Sequence, residues 1–181
     1  GFKAVVQTLS YLPDKSHGGS RRQKKFRNTP RVVAKGPWHW VHVDMIGPLP
    51  ASKEGFRYIL VAVDHFTRWS IVKPVKDATK ETFVKWFLQD LIDVKGPMTH
   101  ITTDRGGNFT SDLAKAVQQL AQVRVHYTTA WRPWANALVE RFNGTLKEIL
   151  REYADGQGKT WAEHLSRYLF AYNTTVHAAT G

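Results

Sequence analysis

The spacing of apolar residues switches from a period of two to one near 3.6 and back, and this bounds the fold class. "WHWVHVDMI" (38–46) sets Trp40, His42 and Asp44 alternately against Val41, Val43 and Met45, the pattern of a strand with two unlike faces. "YILVAVDHF" (58–66) is a continuous apolar run, as a strand buried on both faces requires. "WSIVKPV" (69–75) follows after the brief "HFTR" segment. Three strands joined by short turns predict an antiparallel meander. The period then lengthens. "DATKETFVKWFLQDLID" (77–93) places Phe83, Val84, Phe87, Leu88 and Leu91 on one helical face, with Asp77 or Thr79 as cap and Gly96-Pro97 as stop. A strand (98–104), a helix (110–120) with Leu113, Ala116, Val117 and Leu120 on one face, and a fifth strand (123–127) come next. Helices over about 136–153 and 160–176 close the chain, the second opening on Thr160 and Glu163 in capping-box spacing. This order predicts an α/β fold with a five-stranded mixed sheet flanked by helices.

Charge divides the chain in two. Residues 1–37 hold nine Lys and Arg against the single acid Asp14, whereas the rest holds 17 basic and 14 acidic side chains. The net charge of +11 therefore lies mostly in an N-terminal arm, and it points to a polyanionic partner. Within the arm, "PDKSHGGSRRQKKFRNTPRVVAKGP" (13–37) is rich in Gly, Pro, Ser and charge and reads as a linker. Arg21, Arg22, Lys24 and Lys25 are its densest cations; a solvated tail and a nucleic-acid contact both fit such a run. The expected organisation is a flexible arm over 1–37 and one folded unit over 38–181. No apolar run approaches the roughly 20 residues that span a bilayer, so no membrane partner is expected. With no cysteine, a thiolate zinc site is excluded.

Three acids stand out by placement. Asp44 lies amid apolar neighbours in the first strand. Asp104 ends the fourth strand, just before Gly106-Gly107, where the chain can turn sharply. Glu140 lies early in a helix that follows a loop with Pro133 and two tryptophans, Trp131 and Trp134. Carboxylates are rarely buried in strands for solubility alone, yet each of these taken singly also fits a hydrogen-bonded structural acid. Asp64, at the end of the second strand, reads as structural. Converging carboxylates without Cys or clustered His suit hard cations such as Mg²⁺ or Mn²⁺. Such ions stabilise the attacking and leaving oxygens of an in-line phosphoryl displacement. Lys147 and Arg151 follow Glu140 on the same helical face, where solvated cations are equally at home.

"WVHVDMIGPLP", "VAVDHFTRW", "ITTDRGGNFTS", "VERFNGTLKEILR" and "WAEHLSRYLFAYNTTVHAATG" resemble the integrase catalytic core of retroviruses and gypsy-type LTR retrotransposons. The resemblance runs from Trp38 to Gly181, and the 35 residues between Asp104 and Glu140 match the interval of that family's Asp, Asp, Glu triad. It implies a ribonuclease H-like fold and Asp44, Asp104 and Glu140 as catalytic ligands of Mg²⁺ or Mn²⁺. It implies 3′-end processing and strand transfer of DNA, with element ends and target DNA as partners. DNA contacts would fall at Asn143, Lys147, Arg151 and Arg132, joined by the arm cations. A homo-oligomer formed through the core is expected. Trp86 and Trp161 could supply an apolar interface patch or simply pack in the core. The expected location is the nucleus, or a cytoplasmic virus-like particle before import.

The chain departs from that family at two places. The loop reads "WRPWANALVER", with Trp131, Trp134, Ala137 and Leu138 where relatives carry Tyr, Gln, Gly and a polar residue. Alanine favours helix over glycine by roughly 1 kcal/mol, so an earlier helix start, a stiffer loop and weaker catalysis are expected. The two tryptophans could stack on bases or fill an apolar gap. Upstream, "KSHGGSRRQKK" stands where relatives carry a zinc-binding Cys pair, so no zinc is expected. The competing reading is a domesticated, catalytically weakened derivative that binds nucleic acid.

Overall fold

The computed structural model describes residues 33–103, 111–127, 139–150 and 160–177, without the side chains of 111–114. Strands β1 (Trp40–Ile46), β2 (Tyr58–Asp64) and β3 (Ser70–Val75) form the expected antiparallel meander. Strands β4 (His100–Thr103) and β5 (Arg124–Tyr127) add to its other side in parallel, giving the order β3-β2-β1-β4-β5. Parallel neighbours need a crossover. Helix α1 (Lys80–Trp86) begins the one between β3 and β4, and α2 (Ser111–Ala121) lies between β4 and β5.

The alternation within the strands sorts the core into two halves. Val41, Val43, Leu60, Ala62 and Ile101 face Phe83, Trp86, Phe87 and Leu91 of the first helical segment and Val117 of α2. On the opposite face, Ile59, Val61 and Val63 meet Val139, Phe142 and Leu146 of helix α3 (139–150), together with Trp161, Leu165 and Tyr168 of α4 (Trp161–Thr174). Hence β2 is apolar at nearly every position: both of its faces are covered. Trp86 and Trp161 are both core residues, 1% and 3% exposed, and the Trp161 indole N–H donates to the Pro50 carbonyl at 2.9 Å.

Four local expectations need correction. The connection between β1 and β2 is no short turn but an excursion over residues 47–57. It is organised by Ser52, whose Oγ accepts from the amides of Glu54 and Phe56 at 3.2 and 3.1 Å. The helix expected over 77–93 starts as foreseen, with Thr79 Oγ1 accepting from the Thr82 amide at 3.2 Å. Past Trp86, however, it widens into a π-helical stretch, Phe87–Ile92, before a last turn Asp93–Lys95 and a stop at Gly96 (φ 84°). The wider turn keeps Phe87 and Leu91 buried while Asp90 pairs with Lys73 at 2.5 Å. Leu120 is 60% exposed, because α2 meets the core through Val117, Ala121 and the following Val123 instead. No capping box forms at Thr160. Its ψ of 2° departs from extended cap geometry, its side chain makes no cap bond, and the Glu163 carboxylate pairs with Lys53 at 3.2 Å. No helix among the described residues is long and apolar enough to cross a membrane.

Candidate active site

Asp44 sits in β1 with Val61 as its Cα partner, so it shares the sheet face on which α3 and α4 pack. Position in the strand explains its half-buried state: Val43 before it and Ile46 beyond it are buried in the two cores. One carboxylate oxygen, Oδ1, accepts from the Met45 amide at 2.8 Å. The other, Oδ2, accepts from the side-chain amide of Asn143, which α3 carries in from 99 residues away. Asn143 is 7% exposed, and its own Oδ1 has no hydrogen-bond partner among the described residues.

The buried stripe Val139, Phe142, Leu146, Ile149 and Leu150 fixes the rotation of α3. That rotation turns Asn143 inward to Asp44 and leaves Glu140 and Lys147 exposed on its flank. Glu140 lies one turn before Asn143, and Lys147 one turn after it, so all three share a face. The structure thus joins Asp44 and Asn143 directly and ranges Glu140 and Lys147 along the same helix. Asp104, Arg132, Arg151, Arg21, Arg22, Lys24 and Lys25 lie outside the described residues, as does the loop with Trp131, Trp134, Ala137 and Leu138.

Asp64 is fully buried and plays the structural part expected of it. Its Oδ1 accepts from the Trp38 amide at 3.0 Å, and its Oδ2 from the amide and hydroxyl of Thr67 at 2.9 and 2.6 Å. These bonds close the β2–β3 turn and tie the segment before β1 to it at Trp38. Asn173 performs a similar task for α4, bracketing Ser70 with two bonds of 2.8 and 2.9 Å.

Sequence reasoning missed the histidines that flank the site. His42, two residues before Asp44 and on the same face, is fully buried with its Nε2 2.9 Å from His65 Nδ1. Burial first, then the positive charges of His65 and Arg68, lower its pKa to about 3, so the ring is neutral at physiological pH. Alternation foretold the face of His42, but nothing in the sequence pairs it with His65. Arg68 is likewise held below the usual guanidinium range, by burial and then by Arg141 of α3.

The donor chemistry fits a hard divalent cation. Asp44 and Glu140 would offer carboxylate oxygens, and Asn143 holds a buried amide oxygen with no protein partner among the described residues. The described residues bring together no group of three or more His, Cys, Asp or Glu side chains able to hold a metal.

Comparisons with known proteins agree with this architecture. The sequence pattern of the integrase core domain matches residues 34–133, and a second integrase core domain pattern matches 113–177. The chain is 27% identical over 150 residues to the retrovirus-related Pol polyprotein from transposon 412 of Drosophila melanogaster, an alignment covering 81% of this chain and 12% of that protein. It is 30% identical over 158 residues to the Gag-Pol polyprotein of avian reticuloendotheliosis virus, covering 87% of this chain and 14% of the polyprotein. Gypsy retrotransposon integrase-like protein 1 of Homo sapiens is 25% identical over 144 residues, or 80% of this chain and 27% of that protein. The chain therefore spans only a small part of these relatives. Among solved structures, the HTLV-2 integrase catalytic core domain in complex with magnesium superposes with a TM-score of 0.60 in its dimeric form. That match has 24% identity and covers 81% of this chain and 94% of the other. The trimeric form gives 0.59 at 25% identity, covering 80% and 92%.

Proposed function

The chain belongs to the integrase core domain family, with the ribonuclease H-like fold of that family, and we propose that it is a divalent-metal-dependent polynucleotidyl transferase. In this reading it trims a DNA 3′ end with water and then joins the new 3′-hydroxyl to a phosphodiester of target DNA. The observation that carries the proposal is the Asp44 carboxylate, held in β1 by an amide from the same helix that presents Glu140. Bound Mg²⁺ or Mn²⁺ would offset the charge that develops on the attacking and leaving oxygens. Asp44 and Glu140 are the described residues that would hold it, with Asp104 as the third ligand by sequence.

The protein's own part is positional. The Asn143 and Met45 bonds fix the plane of the Asp44 carboxylate before any ligand arrives. Packing of α3 against β2 sets where Glu140 stands relative to β1. Lys147, exposed one turn beyond Asn143, would meet a DNA phosphate, and Arg132, Arg151 and the arm cations would extend that contact. The HTLV-2 core domain is described in dimeric and trimeric forms, which supports self-association of this chain as part of its function.

The test is joining of a labelled duplex end to a supercoiled plasmid in Mn²⁺, with Glu140→Gln beside the parent chain. Metal positioning contributes several kcal/mol to such reactions, so the variant should lose on the order of a thousandfold in rate. DNA binding by the parent chain without joining in Mn²⁺ would instead favour a non-catalytic nucleic-acid-binding protein.

A further inference from the structure

The sheet face that carries Asp44 continues past the helices onto β4 and β5. In the β1–β4–β5 register, Trp40, His100 and Arg124 are successive Cα partners, as are His42, Thr102 and His126. Partners in a parallel ladder point to one face, so these side chains share the face of Asp44. Neither hydrophobic cluster includes Trp40, His100 or His126.

Here the rings pack on one another. Trp40 stacks on His100 with centroids 4.5 Å apart and on His126 at 4.8 Å, with interplanar angles of 29° and 25°. Its indole N–H donates to Thr102 Oγ1 at 2.6 Å, which fixes the plane of the stack. His100 Nδ1 and His126 Nε2 are 2.9 Å apart, and the edge of His39 meets His100 at 5.2 Å. Arg124 and Lys35 are exposed, while His39, Trp40, His100 and His126 are half-buried.

Among the described residues, the charged groups that act on His100 are all basic. His100 is held below the ordinary imidazole range first by burial and then by His126, His39, Arg124 and Lys35, with no carboxylate among them. A same-sign cluster built on a fixed aromatic platform is complementary to a polyanion. Strands lie about 4.8 Å apart, so the row from Trp40 to Arg124 spans roughly 10 Å. That is nearly three steps of a nucleic-acid strand at about 3.4 Å each, too wide for one free phosphate. Trp40 stands four residues before Asp44 in β1, or roughly 13 Å along the strand.

We propose that Lys35, Arg124 and the His100–His126 pair, arranged around Trp40, hold the phosphodiester backbone of a nucleic acid that extends past the catalytic carboxylates. This surface lies on β1, β4 and β5, with Lys35 ahead of β1, and is separate from the α3 cations. It rests on the reading that the chain works on DNA. The stack and its Thr102 bond set the shape of the surface, and the cations supply the attraction.

The experiment measures binding of a labelled duplex by the full chain in EDTA across a salt series. Parent, Lys35→Glu/Arg124→Glu and Lys35→Gln/Arg124→Gln proteins are compared, with His100 and His126 imidazole protons followed by NMR on the unmodified chain. Each phosphate contact contributes about 0.9 to the log–log salt slope. Both double variants should lower that slope by nearly two and weaken low-salt binding at least tenfold. DNA should also move the titration midpoints of His100 and His126 upward, and inorganic phosphate or polyglutamate at equal charge should not. A parental slope in both variants, or equal imidazole shifts with polyglutamate, overturns the surface and leaves the proposed function standing. Failure of the unmodified chain to bind any duplex removes both.

Discussion

Replacing Asp64 with asparagine separates the structural acid of this fold from the proposed catalytic one. The side chain is fully buried, and its two oxygens accept three hydrogen bonds, one from Trp38 and two from Thr67. Asparagine keeps the shape but has one acceptor oxygen. In its better orientation that oxygen serves the Thr67 pair, and the amide NH₂ then faces the Trp38 N–H, donor against donor. Losing a bond to a charged acceptor costs about 1.5–3 kcal/mol, and the two bonds that remain weaken because their acceptor is now neutral. Relief from burying a charge offsets part of this, leaving a loss of roughly 2–4 kcal/mol. For a domain of this size about 1 kcal/mol moves Tm by roughly 2–4 °C. Asp64→Asn should therefore melt roughly 5–15 °C below the parent, while still binding Mn²⁺ below its Tm. Asp44→Asn should do the reverse. Its carboxylate is half-buried, the one remaining oxygen still serves the Met45 amide, and the Asn143 side chain, whose own oxygen has no partner among the described residues, can turn over to accept from the new NH₂, so melting stays near the parental temperature and metal binding is lost. Circular dichroism melts with and without Mn²⁺ decide the matter. If Asp64→Asn melts with the parent, or Asp44→Asn falls as far as Asp64→Asn, the roles assigned to these two acids are wrong.

Two further outcomes follow from the same structure. His42 is neutral in the folded chain, with a pKa of about 3 against an ordinary 6.5. The unfolded chain binds the extra proton below pH 6.5, so this contribution to stability is complete above 6.5 and is lost as pH falls toward 3, at up to about 1.4 kcal/mol per pH unit. Urea titrations from pH 7 to 4 should show that loss, and His42→Gln should flatten it; an equally steep limb in the variant would exclude His42 as its source. Gly47→Ala should destabilise by about 1–3 kcal/mol, since φ is 145° and an added Cβ would lie 2.5 Å from the Tyr58 ring and 2.8 Å from the Arg57 carbonyl; a variant of parental stability would mean that the 47–57 excursion yields freely.

The parts of this fold that were legible in sequence are those set by neighbours along the chain. Alternation in "WHWVHVDMI" put Asp44 on the face opposite Val41 and Val43, and the unbroken run in β2 foretold a strand covered on both sides. Asp64 at a strand end could be read as structural because a turn-closing acid finds nearby donors, here the amide and hydroxyl of Thr67, though its third donor, Trp38, lies 26 residues away. What was not legible depends on distant placement. The Asn143–Asp44 bond joins residues 99 apart, and the Trp40–His100–His126 stack exists only once two crossovers have fixed the register of three strands. Thr160 and Glu163 have capping-box spacing, yet Lys53, 110 residues away, takes the glutamate. The π-helical stretch is invisible to a 3.6-residue period because Phe87 and Leu91 suit either winding.

The most direct test of the proposed metal centre is paramagnetic broadening by Mn²⁺ in NMR spectra of the full chain without DNA. At substoichiometric Mn²⁺, the Met45 amide and the Asn143 side-chain NH₂ should broaden first, because both donate to Asp44. The Trp38 and Thr67 amides at Asp64 should stay sharp, and Asp44→Asn should abolish the effect. Broadening that begins at Thr67 or at the His100 and His126 rings, or that persists unchanged in Asp44→Asn, would contradict a divalent-metal centre at Asp44.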